Sequence, residues 1–131
     1  MKYLLDTDTC VYWLRGRSSI RSRLAAIGPS EVGVSIITLA ELQYGAACST
    51  QPEANQQALL KLVGGLTLLG ISPPITKLFA DSKASLRSQG NLLEDLDLFI
   101  AATALSHALT SVTHNTAHFQ RLAGLSLEDW F

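Results

Sequence analysis

Two aspartates, Asp6 and Asp8, stand on either side of Thr7 and directly follow the apolar run Tyr3-Leu4-Leu5. A strand buried on both faces that ends in carboxylates needs solvent, backbone amides to cap, or a cation. The same question arises elsewhere in the chain. Glu41 lies in Ile36-Ile37-Thr38-Leu39-Ala40-Glu41-Leu42, and Asp97 closes Glu94-Asp95-Leu96-Asp97 at the head of a long apolar segment. Thr113-His114-Asn115-Thr116 follows a short β-branched run. Carboxylates without a CxxC pair or an HExxH motif suit a hard cation such as Mg²⁺ or Mn²⁺ better than zinc, because such ions take oxygen ligands and keep several waters.

Each residue also has a plainer reading. Asp6 and Asp8 can cap the helix that follows, and Asp8 reads as the better cap, leaving Asp6 for the site. Thr38-Leu39-Ala40-Glu41 fits a capping box, although helical spacing sets Glu41 beside Ile37, Tyr44 and Gly45. Asp97 shares a face with Ile100, Ala101 and Ala104, so Asp95 or Glu94 serves the helix dipole while Asp97 points inward. Asn115 is a good N-cap, or else a group that positions a ligand. His114 and His118 have a spacing that zinc can use, but no accompanying HExxH glutamate, and read as surface or supporting histidines. Arg15, Arg17, Arg21 and Arg23 form a basic stretch, and Lys83 and Arg87 an i,i+4 pair, either solvated or in contact with phosphate. Trp130 and Phe131 read as core packing without chemistry.

Strands alternate with helices along the chain, which predicts a three-layer, mostly parallel α/β domain. The strands are expected at 3–5, 32–36, 66–71 and 110–113, with a short strand or tail after Leu125. Helices are expected from Asp6 to about Arg15, from Ser18 to Ile27, from Thr38 to about Cys48, and from Pro52 to Gly64. Further helices follow Pro73-Pro74 up to Gly90 and run from Leu96 to Leu109, and a last one carries His118, Phe119 and Leu122. In open sheets of this kind ligands sit beyond the carboxyl ends of the strands, where strand order reverses. Asp6 is at such an end.

The chain has 131 residues, 47% of them hydrophobic and 16% charged, which is the composition of one folded domain rather than a disordered segment. No stretch is long and apolar enough to span a bilayer, and the first strand begins too early for a signal peptide. Two cysteines, Cys10 and Cys48, form no disulfide framework, so the cytoplasm is the expected compartment. The net charge of −1 lacks the basic balance of most nucleic-acid binders. Setting Asp6, Glu41 and Asp97 aside around an ion leaves the remaining surface slightly positive, so charge does not exclude a phosphate-rich substrate.

Taken together, Tyr3-Leu4-Leu5-Asp6-Thr7-Asp8, Ser35 to Leu42 with Tyr44-Gly45, Asp97 to Ala104, and Thr113-His114-Asn115 through Phe119 resemble the PIN-domain family. The likeness is to VapC-type toxins of toxin–antitoxin pairs, and it extends to the Leu127-Glu128-Asp129-Trp130 ending. It implies a parallel sheet in the order 3-2-1-4-5 and an acidic triad of Asp6, Glu41 and Asp97 around Mg²⁺ or Mn²⁺. Asn115 stands where many members carry a fourth aspartate, which leaves one anion fewer for a second metal. Thr7, Asp8, Asp95 and Thr113 would support the site, and Arg15, Arg17, Lys83 and Arg87 would contact the RNA backbone. The resemblance further implies a ribonuclease that leaves 3′ hydroxyl and 5′ phosphate ends, a homodimer, and inhibition by a small antitoxin whose tail enters the acidic pocket. Two rivals differ in chemistry. A haloacid-dehalogenase-type phosphatase would use Asp6 as nucleophile in DxDx[T/V], but Cys10 stands where that motif needs Thr or Val. A catalytically silent PIN-like module would keep the fold without turnover.

Overall fold

The computed structural model describes residues 1–131. Five strands form one sheet: β1 (Tyr3–Leu5), β2 (Val32–Ser35), β3 (Thr67–Leu69), β4 (Thr110–Val112) and β5 (Leu127–Glu128). Their order is β3-β2-β1-β4-β5, and every neighbouring pair is parallel. This is the expected order, with the antiparallel allowance unused. Seven helices accompany the sheet: α1 (Thr7–Leu14), α2 (Ser18–Ile27), α3 (Ile36–Ala47), α4 (Pro52–Val63), α5 (Pro73–Ser88), α6 (Asp95–Ser106) and α7 (Thr116–Phe119).

Side-chain alternation along the strands divides the core into layers. Leu5, Val34 and Val112, which face one another in register, join Cys10, Ile20, Leu42 and Leu59 beneath α1 to α4. Leu4 turns the other way and packs on Ile100, Ala104 and Leu109 of the α6 side. With six buried residues in its twelve, α6 is the central helix anticipated from its alanine-rich sequence. Leu86, Leu93, Leu98 and Phe119 fill the space between α5, α6 and α7.

Several boundaries differ from the sequence reading. The helix expected from Thr38 begins at Ile36, because the Ser35 hydroxyl accepts from the Ile37 amide at 3.0 Å and caps it. Thr38 is therefore inside α3 and fully buried, and the capping box proposed for Glu41 does not form. The third strand is shorter than expected and lies at the sheet edge with two of its three residues exposed. The helix expected to reach Leu109 stops at Ser106. Ala108 takes a positive φ of 53°, its amide donates to Leu105, and the Leu109 amide donates to Ala104. This is a Schellman closure with alanine in the position usually given to glycine.

Candidate active site

The parallel register brings the chemistry-bearing residues to one edge. Leu5 pairs with Val112, so Asp6 and Thr113 leave adjacent strand ends side by side. The chain moves from β1 to β2 on one side and returns to β4 on the other, making the β1/β4 boundary the point where strand order reverses. Helices α3 and α6 start at the same edge and bring Glu41 and Asp97 toward it.

Asp6 is 3% exposed and accepts a hydrogen bond from the Thr9 amide at 2.8 Å. It is itself the N-cap of α1, so Asp8, expected as the cap, is exposed in the first turn instead. Burial raises the pKa of Asp6, hydrogen bonds from Thr113 and Thr9 pull the other way, and the charge of Asp8 adds to the rise. Asp97 is also raised, first by burial. His118 opposes that shift by hydrogen bond and charge, while Glu94 and Asp8 reinforce it. His118 Nε2 lies 3.2 Å from Asp97 Oδ2. Asp8 thus acts electrostatically on both buried Asp6 and half-buried Asp97, a connection its position in sequence does not announce.

Glu41 is held from the other side. The Thr7 hydroxyl donates its single proton to Glu41 Oε1 at 2.7 Å and lies 3.2 Å from Thr38 Oγ1. A helix cap, the role its sequence context first suggested, would have turned Glu41 back on its own backbone. Instead it spans to α1. Beside it, a groove of about 370 Å³ runs between α1, α3 and α4, lined by Val11, Leu14, Arg15, Leu42 and Ala58.

Other expected residues fall differently. Asp95 is more than half exposed and pairs with Lys83 at 2.8 Å, which makes both a surface ion pair on α5 and α6 rather than parts of the acidic site. Asn115 occupies the N-cap position of α7 without a side-chain cap bond, and its amide donates to Thr113 Oγ1 at 3.0 Å. Arg15 borders the groove beside Glu41, whereas Arg17 is committed to Phe131, donating to its carbonyl at 3.1 Å. Arg87 lies in the last turn of α5, without an ion pair. Sequence reasoning missed two contacts: the partnership of His118 with Asp97, and Thr38 in the hydroxyl chain. The i,i+4 histidines were the only available signal for the first, and it pointed to zinc.

The donors suit a hard divalent cation chemically. Asp6, Asp8 and Glu41 have no lysine, arginine or histidine ion-pair partner, and Asp97 has only His118. Burial first, and neighbouring carboxylates after it, raise the aspartate pKa values, and an added cation opposes that rise. No three of the Asp, Glu, His and Cys side chains already converge as a coordination cage. Ionic contact with the outer acids therefore has to pass through retained waters or small side-chain movements. For the phosphatase alternative, Cys10 is wholly buried at the position that its motif reserves for Thr or Val.

The PIN domain family model matches residues 3–125. A Haemophilus influenzae protein named Ribonuclease VapC2 is 37% identical over 131 residues, covering 99% of this chain and 98% of its own. A Shigella flexneri protein named tRNA(fMet)-specific endonuclease VapC is 33% identical with the same coverage. Among solved structures, a DNA-bound VapBC from Salmonella typhimurium superposes with a TM-score of 0.95 at 32% identity, covering 100% of this chain and 99% of that one. VapBC2 from Rickettsia felis bound to a promoter fragment gives 0.92 at 33%, with both chains fully covered. A parallel sheet carrying acids at its point of strand reversal, in a chain alike to these proteins from end to end, belongs to the PIN-domain family and within it to the VapC-type ribonucleases of toxin–antitoxin systems.

Proposed function

We propose that this chain is a divalent-metal-dependent endoribonuclease in which Asp6 and Asp97 hold Mg²⁺ or Mn²⁺ and Glu41 completes the acidic set from across the groove. The observation that carries this reading is that three acids, none paired with lysine or arginine, stand on elements that open at the β1/β4 edge of a VapC-type ribonuclease. A bound divalent ion supplies Lewis-acid activation of water and charge neutralisation at the phosphodiester. Glu41, fixed by Thr7, accepts the proton of the attacking water at its carboxylate. His118 holds the Asp97 carboxylate in place from Nε2, and Thr113 does the same for Asp6. Arg15 faces the RNA backbone beside Glu41.

A small cognate antitoxin fits the same edge. The apolar groove beside Glu41 offers it a seat, and the unpaired acids offer a target for a basic residue in its tail. Homodimerisation belongs to this reading, supported by exposed apolar side chains such as Tyr44, Leu92 and Leu96. No helix is long and apolar enough to cross a membrane, and we place the chain in the cytoplasm with its RNA.

The test is cleavage of RNA, beginning with initiator tRNA as the substrate named for a relative. Activity is expected with Mg²⁺ or Mn²⁺, to vanish in EDTA, and to fall by roughly 10²- to 10⁴-fold in Asp6→Asn, Glu41→Gln and Asp97→Asn. Undiminished cleavage in EDTA or by the Asp97→Asn protein refutes the mechanism.

A further inference from the structure

A cluster outside the acidic site is built differently from the rest of the surface. The Arg17 guanidinium lies 3.5 Å over the ring of Phe131, and the His114 ring lies 3.9 Å from the same ring at 24°. Two planar groups that close to one ring centre must occupy its opposite faces. The three therefore form a pile, Arg17 on Phe131 on His114. Tyr12 stands nearly perpendicular to both rings, 4.8 Å from Phe131 and 5.9 Å from His114. A ring capping the far side of His114 would be much farther from Phe131 than from His114. Tyr12 is nearer to Phe131, so it flanks the pile and does not cap it.

The outer face of His114 consequently meets no other ring and no guanidinium, and the side chain is 44% exposed. Its orientation is nevertheless fixed. Nδ1 lies 3.0 Å from Asp129 Oδ2, and an ionised carboxylate only accepts, so Nδ1 carries a proton. Arg17 is fixed as well. Gly16, with φ of 87°, closes α1 in a Schellman turn whose final bond runs from the Arg17 amide to the Tyr12 carbonyl. The stacking is separate from the backbone fastening of Phe131, whose carbonyl accepts from Arg17 Nε at 3.1 Å and Ser19 Oγ at 2.6 Å. Trp130, one residue earlier, already fastens the end of the chain, buried edge-on against Tyr3.

The pile is continuous with the acidic site. His114 directly follows Thr113, which bonds to Asp6. Tyr12 stands about 9 Å along α1 from Asp6. Arg15 borders both the groove beside Glu41 and the hollow formed by Tyr12, Arg17 and Phe131. An ordered ring with one open face is the chemistry that binds a base of a single-stranded nucleotide by stacking, and unpaired Arg15 borders the hollow on the Tyr12–Arg17–Phe131 side of the pile.

We propose that the Arg17–Phe131–His114 pile is a nucleobase subsite, in which an RNA base flanking the scissile bond stacks on the outer face of His114. The proposal rests on the ribonuclease reading and adds to it a determinant of where the strand is cut.

A short single-stranded oligoribonucleotide with one mapped cleavage position tests this, in versions each abasic at one nucleotide near the cut. For the wild-type protein one abasic position is expected to raise KM by roughly 5- to 50-fold, with kcat little changed. His114→Ala should show that raised KM on the intact strand and no further response to the abasic position. His114→Phe, which keeps a ring, should restore the response. Thermal denaturation confirms that both variants fold. Fluorescence anisotropy with the Asp97→Asn protein repeats the comparison without turnover, alone and combined with His114→Ala. A His114→Ala protein that responds to every abasic position as the wild type does overturns the subsite and leaves the pile as a fastening of the C-terminal segment. If the wild type cuts no RNA, the ribonuclease reading fails, and the anisotropy series decides the subsite alone by the same criterion.

Discussion

Asp6 carries two duties at once. Its carboxylate caps α1, a contribution of about 1 kcal/mol in favour of folding, while its burial disfavours the charged form. The sign of the second effect is opposite to that of a salt-bridged aspartate. Because the folded-state pKa is raised, the folded protein binds the proton more tightly than the unfolded chain, and stability falls as pH rises through the interval between the two pKa values. Asp6→Asn keeps a good capping residue and removes the buried charge. In metal-free buffer it is expected to be at least as stable as the wild type at pH 7, with the gap closing as pH drops toward the ordinary carboxylate range. Urea midpoints at pH 7 and pH 5 measure this, and a variant clearly less stable at pH 7 contradicts it. Thr7 gives a second test. Thr7→Val leaves Glu41 without its 2.7 Å donor and is expected to lower kcat by roughly 10- to 100-fold. Thr7→Ser should retain most of the rate, and equal rates for the two variants would remove Thr7 from the machinery.

At the scale of elements, helix ends decide where the acids stand. Ser35 starts α3 earlier than its sequence suggests, and this moves Glu41 out of the first turn and away from a capping role. α6 carries Asp97 in its first turn at the carboxyl edge and closes beyond Ser106 on Ala108, so its length fixes both the acid and the entry into β4. A non-glycine residue at φ of 53° is strained, since its Cβ crowds the backbone. Ala108→Gly is expected to stabilise the protein by about 0.5–1 kcal/mol without changing cleavage. Chemical denaturation reads it directly, and a loss of stability would mean that the Ala108 methyl makes a compensating contact.

Across the whole molecule, the two apolar layers on either side of the sheet keep the centre dry, and cysteine chemistry reports on it. Cys10 is fully buried beneath α1, and burial pushes its thiol well above the ordinary range, with Asp6 adding to the rise. Cys48, at the end of α3, is exposed. A thiol reagent should therefore label one cysteine quickly in the native protein and the other only at the rate of unfolding. Prompt labelling of both would show that the layer over Cys10 opens far more readily than its packing implies.

The class of fold, the alternation of strands and helices, and the acids worth testing are all legible in the chain, because buried strands and amphipathic helices are local patterns. Asp6, Glu41 and Asp97 could be singled out there since each puts a charge where its neighbours are apolar. Tertiary structure decided what those acids touch. The Ser35 cap, the Thr7–Glu41 bond, the pairing of Asp95 with Lys83 and the contact of His118 with Asp97 join residues whose relation exists only after the sheet has assembled. The same holds for the pile on Phe131, which joins residues from the turn between α1 and α2, the end of β4 and the last segment of the chain. Periodicity in a sequence reports which face of an element is buried. It does not report which distant side chain lies opposite, because that follows from strand order and register.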